Sequence, residues 1–94
     1  MKRKRITYGT KLPVYLSQAE LDDIRERTLA HDFAKQAIVE GKRLLVNLTL
    51  DDIEEIQGYV AAEANHTRDA KLEKRLYKLF NRFQKFLDSY DDQE

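Results

Sequence analysis

Six cations fall on one side of the segment 68–89 when it is wound as a helix. Lys71, Lys74, Arg75, Lys78, Arg82 and Lys85 lie within about 60° of one line at about 100° per residue. A row of this kind can track phosphates, because backbone contacts dominate nucleic-acid affinity. The densest charge run is Lys2-Arg3-Lys4-Arg5. It can serve as an arm reaching a nucleic-acid groove, or lie on the acidic C-terminal residues Asp88, Asp91, Asp92 and Glu94. The plainer chemistry is charge pairing. The segment before the stripe is acidic (Asp51, Asp52, Glu54, Glu55, Glu63) and can answer it, each exposed pair contributing about 1 kcal/mol or less. Nucleic acid is therefore the less favoured partner.

Glu63 and His66 stand in the Glu-x-x-His spacing that puts two metal ligands on one helical face in di-iron bundles. Such a centre needs a second copy and two further glutamates. His31 has Thr28, not a glutamate, at the matching offset. No metal and no cofactor are expected. Asn65-His66-Thr67 matches a glycosylation sequon, which matters only in a secreted chain. There is no glycine-rich phosphate loop and no nucleophile elbow. Neighbouring acids such as Asp51-Asp52 point in different directions on a helix and cannot share a substrate. No enzymatic activity is expected.

Composition narrows the classes further. The chain has 94 residues, enough for one domain, here read as 1–94. It has no cysteine, which removes disulfides, thiolate metal sites and a cysteine nucleophile. Its 17 basic and 17 acidic residues cancel, which argues against a uniformly positive nucleic-acid coat. The cancellation is segregated, basic at the start and acidic at the end. The apolar core of a signal peptide is missing because Lys11 and Pro13 interrupt residues 6–16, so a cytoplasmic location is expected. No apolar run approaches the roughly 20 residues that span a bilayer, and no membrane partner is expected.

Any surface chemistry must be carried by elements that the sequence marks twice. Residues 14–28 (VYLSQAELDDIRERT) and 46–60 (VNLTLDDIEEIQGYV) align without gaps. In each, alternating apolar residues (Val14 and Leu16; Val46 and Leu48) read as a strand. Ser17 with Glu20, and Thr49 with Asp52, then form capping boxes, and Leu16 with Leu21, and Leu48 with Ile53, can staple across the caps. A second helix follows in each half. The first runs from about Asp32 to Gly41, its apolar face Phe33, Ala34, Ala37 and Ile38; the second runs from about Arg68 to Ser89 with Asn65 or Thr67 as cap. The expected fold is mainly α within the α+β class. It comprises two β-α-α units in tandem, 12–41 and 43–90. A two-stranded ribbon (about 12–16 and 43–48) is packed by four helices, the last the longest. Residues 6–8 could add a strand through a turn at Gly9. Residues 1–5 and 91–94 are expected to be flexible.

In the last helix Leu72, Leu76, Leu79, Phe83, Phe86 and Tyr90 are spaced as a heptad seam, widened by Phe80 and Leu87. So much aromatic surface is hard to bury in a small domain. That points to a homodimer or a protein partner bound through Phe83, Phe86 and Tyr90, with the flanking Lys71, Arg75, Lys78, Arg82 and Lys85. The expected function is a non-enzymatic interaction or dimerisation module, with a DNA- or RNA-binding regulator as the alternative.

The alternative has one further support. Residues 11–21 (KLPVYLSQAEL) and 32–38 (DFAKQAI) loosely resemble the strand, helix, helix order of the ribbon–helix–helix fold. That resemblance implies DNA binding by a strand ribbon. The chain departs from it in lacking glycine between the helices, in Pro13 within the strand, and in presenting Arg43, Leu45 and Asn47 outward from the second strand. A central leucine reads bases poorly.

Overall fold

The computed structural model describes residues 3–28 and 31–92. Strand β1 is Lys4–Arg5 and β2 is Leu12–Leu16. Helices α1 (Gln18–Arg27) and α2 (His31–Ala34) follow, then strands β3 (Ile38–Glu40) and β4 (Arg43–Leu48). Helices α3 (Leu50–His66) and α4 (Ala70–Ser89) and strand β5 (Tyr90–Asp91) complete the chain. The fold is helix-rich α+β around one antiparallel three-stranded sheet.

Both strand-to-helix junctions form for the local reasons visible in the sequence. The Ser17 hydroxyl accepts from Glu20 N–H, and the Glu20 carboxylate accepts from Ser17 N–H. Thr49 and Asp52 repeat the arrangement at α3. The strands ahead of them pair antiparallel, Leu12 opposite Leu48, Val14 opposite Val46 and Leu16 opposite Leu44. These six side chains are buried and face the helices.

The ribbon is not two-stranded. Strand β3 pairs antiparallel with β4, giving the order β2-β4-β3. The expected helix over 32–41 shrinks to the four residues of α2, and Ile38 leaves the helical face assigned to it. Two adjacent β-branched residues, Ile38 and Val39, favour extended backbone. Gly41, at φ +62° with Lys42 not at positive φ, supplies the type II′ pattern of a two-residue hairpin. Gly41 thus closes a hairpin rather than a helix. Residues 6–8 form no strand, although Gly9 does turn the chain at φ +84°. With α2 only one turn long, the second helix of a ribbon–helix–helix arrangement is missing.

Helices α3 and α4 form an antiparallel hairpin. Asp69 caps α4, accepting from Lys71 and Leu72 N–H, in place of the expected Asn65 or Thr67. Ile53, Ile56 and Val60 of α3 and Leu72, Leu76, Leu79 and Phe83 of α4 are buried together with the sheet. Gln57, buried between the two helices, donates to the Phe80 carbonyl and the Gln84 side chain.

Two short strands near the two ends of the described residues pair with each other. Strand β1 pairs in parallel with β5, Lys4 opposite Tyr90 and Arg5 opposite Asp91, and Ile6 N–H donates to the Asp91 carbonyl. Half-buried Ile6 and Tyr90 pack against the core beside this pairing.

Candidate interaction surfaces

The basic stripe of α4 divides in two. Arg75 and Arg82 turn toward α1. The Arg75 guanidinium donates twice to Asp23, at 2.5 and 3.0 Å, and Arg27 approaches the same carboxylate at 3.5 Å. The Asp23 side chain is only 6% exposed. Its hydrogen bond holds the Arg75 pKa above the ordinary value, against the opposing effect of desolvation, with the Asp23 and Asp69 charges adding to it. Arg82 donates to the Glu20 carboxylate and to the Tyr15 backbone carbonyl. These two arginines fasten α4 to the first half of the chain. The acids that answer them belong to α1, not to the acidic helix α3 as the sequence suggested.

Lys71, Lys74, Lys78 and Lys85 remain exposed, and among the described residues none has an ion-pair partner. Lys71 and Lys74 border a shallow surface groove with Tyr77. In the N-terminal run, Arg3 approaches Asp88 at 3.9 Å and Lys4 and Arg5 form β1 against β5, while Lys2 lies outside the described residues.

The heptad seam points inward. Phe83 is fully buried, so it cannot meet a partner. Phe86 and Tyr90 are half-buried against the core and stack on each other, their ring centres 6.5 Å apart. The seam is core along its first four positions and only partly open at its last two. His66 is exposed and Glu63 half-buried. Among the described residues no set of three or more His, Cys, Asp or Glu side chains gathers as metal ligands. An apolar gap of about 10 Å³ lies between α1 and the sheet, lined by Leu16, Ile24 and Phe83 among others. That is barely the size of one water.

The surface least accounted for by packing is the sheet's outer face. The helices cover only the face that carries Val14, Leu44 and Val46. On the other face the pairing aligns Tyr15, Leu45 and Ile38 in one row across all three strands. Tyr15 and Leu45 are half-buried and Ile38 is 56% exposed; Val39, opposite Leu44, turns to the other face at the sheet edge and is 74% exposed. Arg43 lies over the Tyr15 ring, 4.2 Å from its centre. Its guanidinium has no acidic partner among the described residues, Glu40 across the strand included. The outward placement of Arg43, Leu45 and Asn47 agrees with the alternation in the sequence. Ile38 and Val39 escaped it, although the β-branched pair ahead of Glu40-Gly41 was a hairpin signal.

The two edges of the sheet are unequal. The Tyr15 carbonyl meets Arg82 of α4, so residues 13 and 15 turn their backbone polar groups away from β4. Pro13 therefore has its missing N–H on the free edge, where strand proline is tolerated. Strand β2 is blunted by Pro13 and covered by Arg82. Strand β3 has neither proline nor a covering side chain, though it is only three residues long and ends in the charged Glu40.

Comparison with known protein families, with curated proteins and with solved structures gives no match for this chain. Among the described residues no helix is long and apolar enough to cross a membrane.

Proposed function

We propose that this chain is a non-enzymatic interaction module that binds a protein through the uncovered face and open edge of its sheet. One observation carries the proposal. Ile38 is large, exposed and apolar, and it continues the row formed by Leu45 and Tyr15 on the outer face. Contiguous exposed apolar surface marks association sites. This moves the docking surface from the α4 seam to the sheet. A second copy of the chain is one such partner. Sedimentation velocity at micromolar concentration reads it directly, and Ile38→Glu with Leu45→Glu should return any dimer to monomer. Affinity capture from cells of origin, comparing wild type with that double variant, reads a heterologous partner. Proteins lost with the sheet variant but kept with Lys74→Glu/Lys78→Glu support the proposal. Neither self-association nor a sheet-dependent partner would end it.

A regulator that binds DNA or RNA is the second reading, favoured by the four lysines of α4 that have no ion-pair partner among the described residues and by the basic run 2–5. Lys74→Glu/Lys78→Glu is the clean variant, because Arg82 is occupied in holding the fold. No binding to nucleic acid at about 50 mM salt, where phosphate contacts are strongest, would eliminate this reading. We also read the chain as two β-α-α units in tandem, supported by the twin capping boxes, with β3 as the departure within the first unit. The cytoplasm is the proposed location.

A further inference from the structure

We infer that the outer face of the sheet takes an extended acidic segment of a partner protein, with Arg43 as its carboxylate anchor. The inference rests on the proposed role of that face and adds the chemistry of its occupant. The Arg43 guanidinium carbon sits 4.2 Å from the centre of the Tyr15 ring, a cation–π contact that holds the side chain over the outer face. A guanidinium presents donors in the fork geometry that matches a carboxylate. Here the fork has no acceptor among the described residues, whereas Arg75 and Arg82 are both satisfied. The charge around it favours an anion. Exposed Lys42 stands next to Arg43 at the hairpin, and Glu40, opposite Arg43 across the strand, forms no ion pair with it.

The same geometry sets the spacing of the ligand. Arg43 and Leu45 are two residues apart on one face of β4, about 7 Å along the strand. A segment running along them places a carboxylate on Arg43 and an aliphatic side chain on Leu45 and Ile38 when the two are two positions apart. The recognised pattern is therefore apolar-x-acidic, in extended conformation, against an apolar floor.

The probe is a random twelve-residue peptide library displayed on phage and selected on the full chain. Selected peptides should carry Asp or Glu two positions from Ile, Leu, Val or Phe. Arg43→Ala should weaken a selected synthetic peptide roughly ten- to hundredfold, the loss of a charge-assisted hydrogen-bonded pair. Arg43→Lys should recover little of it, because lysine keeps the charge but neither stacks nor binds in fork geometry. Arg43 is exposed, so its variants should keep the wild-type circular dichroism spectrum. Enriched peptides that lack acids, or that bind Arg43→Ala as well as wild type, overturn the anchor while leaving the docking face standing. Enriched peptides insensitive to Ile38→Glu overturn the face as well, as does a selection that yields no binder.

Discussion

Asp23→Ala tests the reading that half of the α4 stripe is structural. The Asp23 carboxylate is buried, accepts two hydrogen bonds from Arg75 and has Arg27 at 3.5 Å. Breaking a fully buried ion pair by removing one partner costs about 3–5 kcal/mol. The Arg75 and Arg27 side chains are 41% and 46% exposed, so water reaches both once the carboxylate is gone. That discounts the cost to about 2 kcal/mol. For a domain of this size the loss corresponds to a Tm lowered by about 8–16 °C. Urea unfolding followed by circular dichroism gives the free energy, and a double-mutant cycle with Arg75→Ala isolates the pair. The expected coupling is about 1.5 kcal/mol, with the double variant scarcely worse than Asp23→Ala. The raised Arg75 pKa lies on the basic side of its ordinary value. Its contribution is fully present below the unfolded pKa and is lost only as pH rises through the folded one. The coupling should therefore be the same at pH 7 and pH 9. Additive single effects, within about 0.3 kcal/mol, would refute the pairing as the fastener of α4.

Three further perturbations separate core, cap and turn. Leu79→Ala, at a position 1% exposed, should cost about 3 kcal/mol in the same urea experiment. Glu20→Gln keeps an oxygen for the Ser17 cap but loses the charge facing Arg82, and should cost about half as much as Glu20→Ala, which should lose about 1–2 kcal/mol. Gly41→Ala meets open space but must adopt positive φ, so a loss of about 1–2 kcal/mol is expected from the backbone alone.

What was legible in the sequence was what local chemistry decides. The caps at Ser17 and Thr49 need only residues three positions apart, and both form. The alternation of Val14, Leu16, Val46 and Leu48 specifies one buried face, and these residues pair on it. The seam of Leu72, Leu76, Leu79 and Phe83 was legible as an apolar face, but the pattern does not say which neighbour covers it. Here α3 and the sheet do, leaving only Phe86 and Tyr90 partly open. Ile38 was misplaced because a helical spacing with Phe33 and Ala34 is also compatible with a β-branched strand, and pairing with β4 decided between them. The division of the basic stripe was not legible at all. Asp23 and Arg75 are 52 residues apart, and only tertiary packing shows that arginines face inward and lysines outward.

Position-resolved cross-linking bears most directly on the docking face. A photoreactive amino acid is placed in the full chain at Ile38, at Asn47 on the same face, at Lys74 on α4, or at Glu54 on α3, and irradiated in cells of origin. A discrete protein adduct from positions 38 and 47, abolished by Leu45→Glu and missing from 74 and 54, is the expected result. Adducts confined to Lys74, or equal at all four positions, would contradict the assignment of the sheet face as the binding surface.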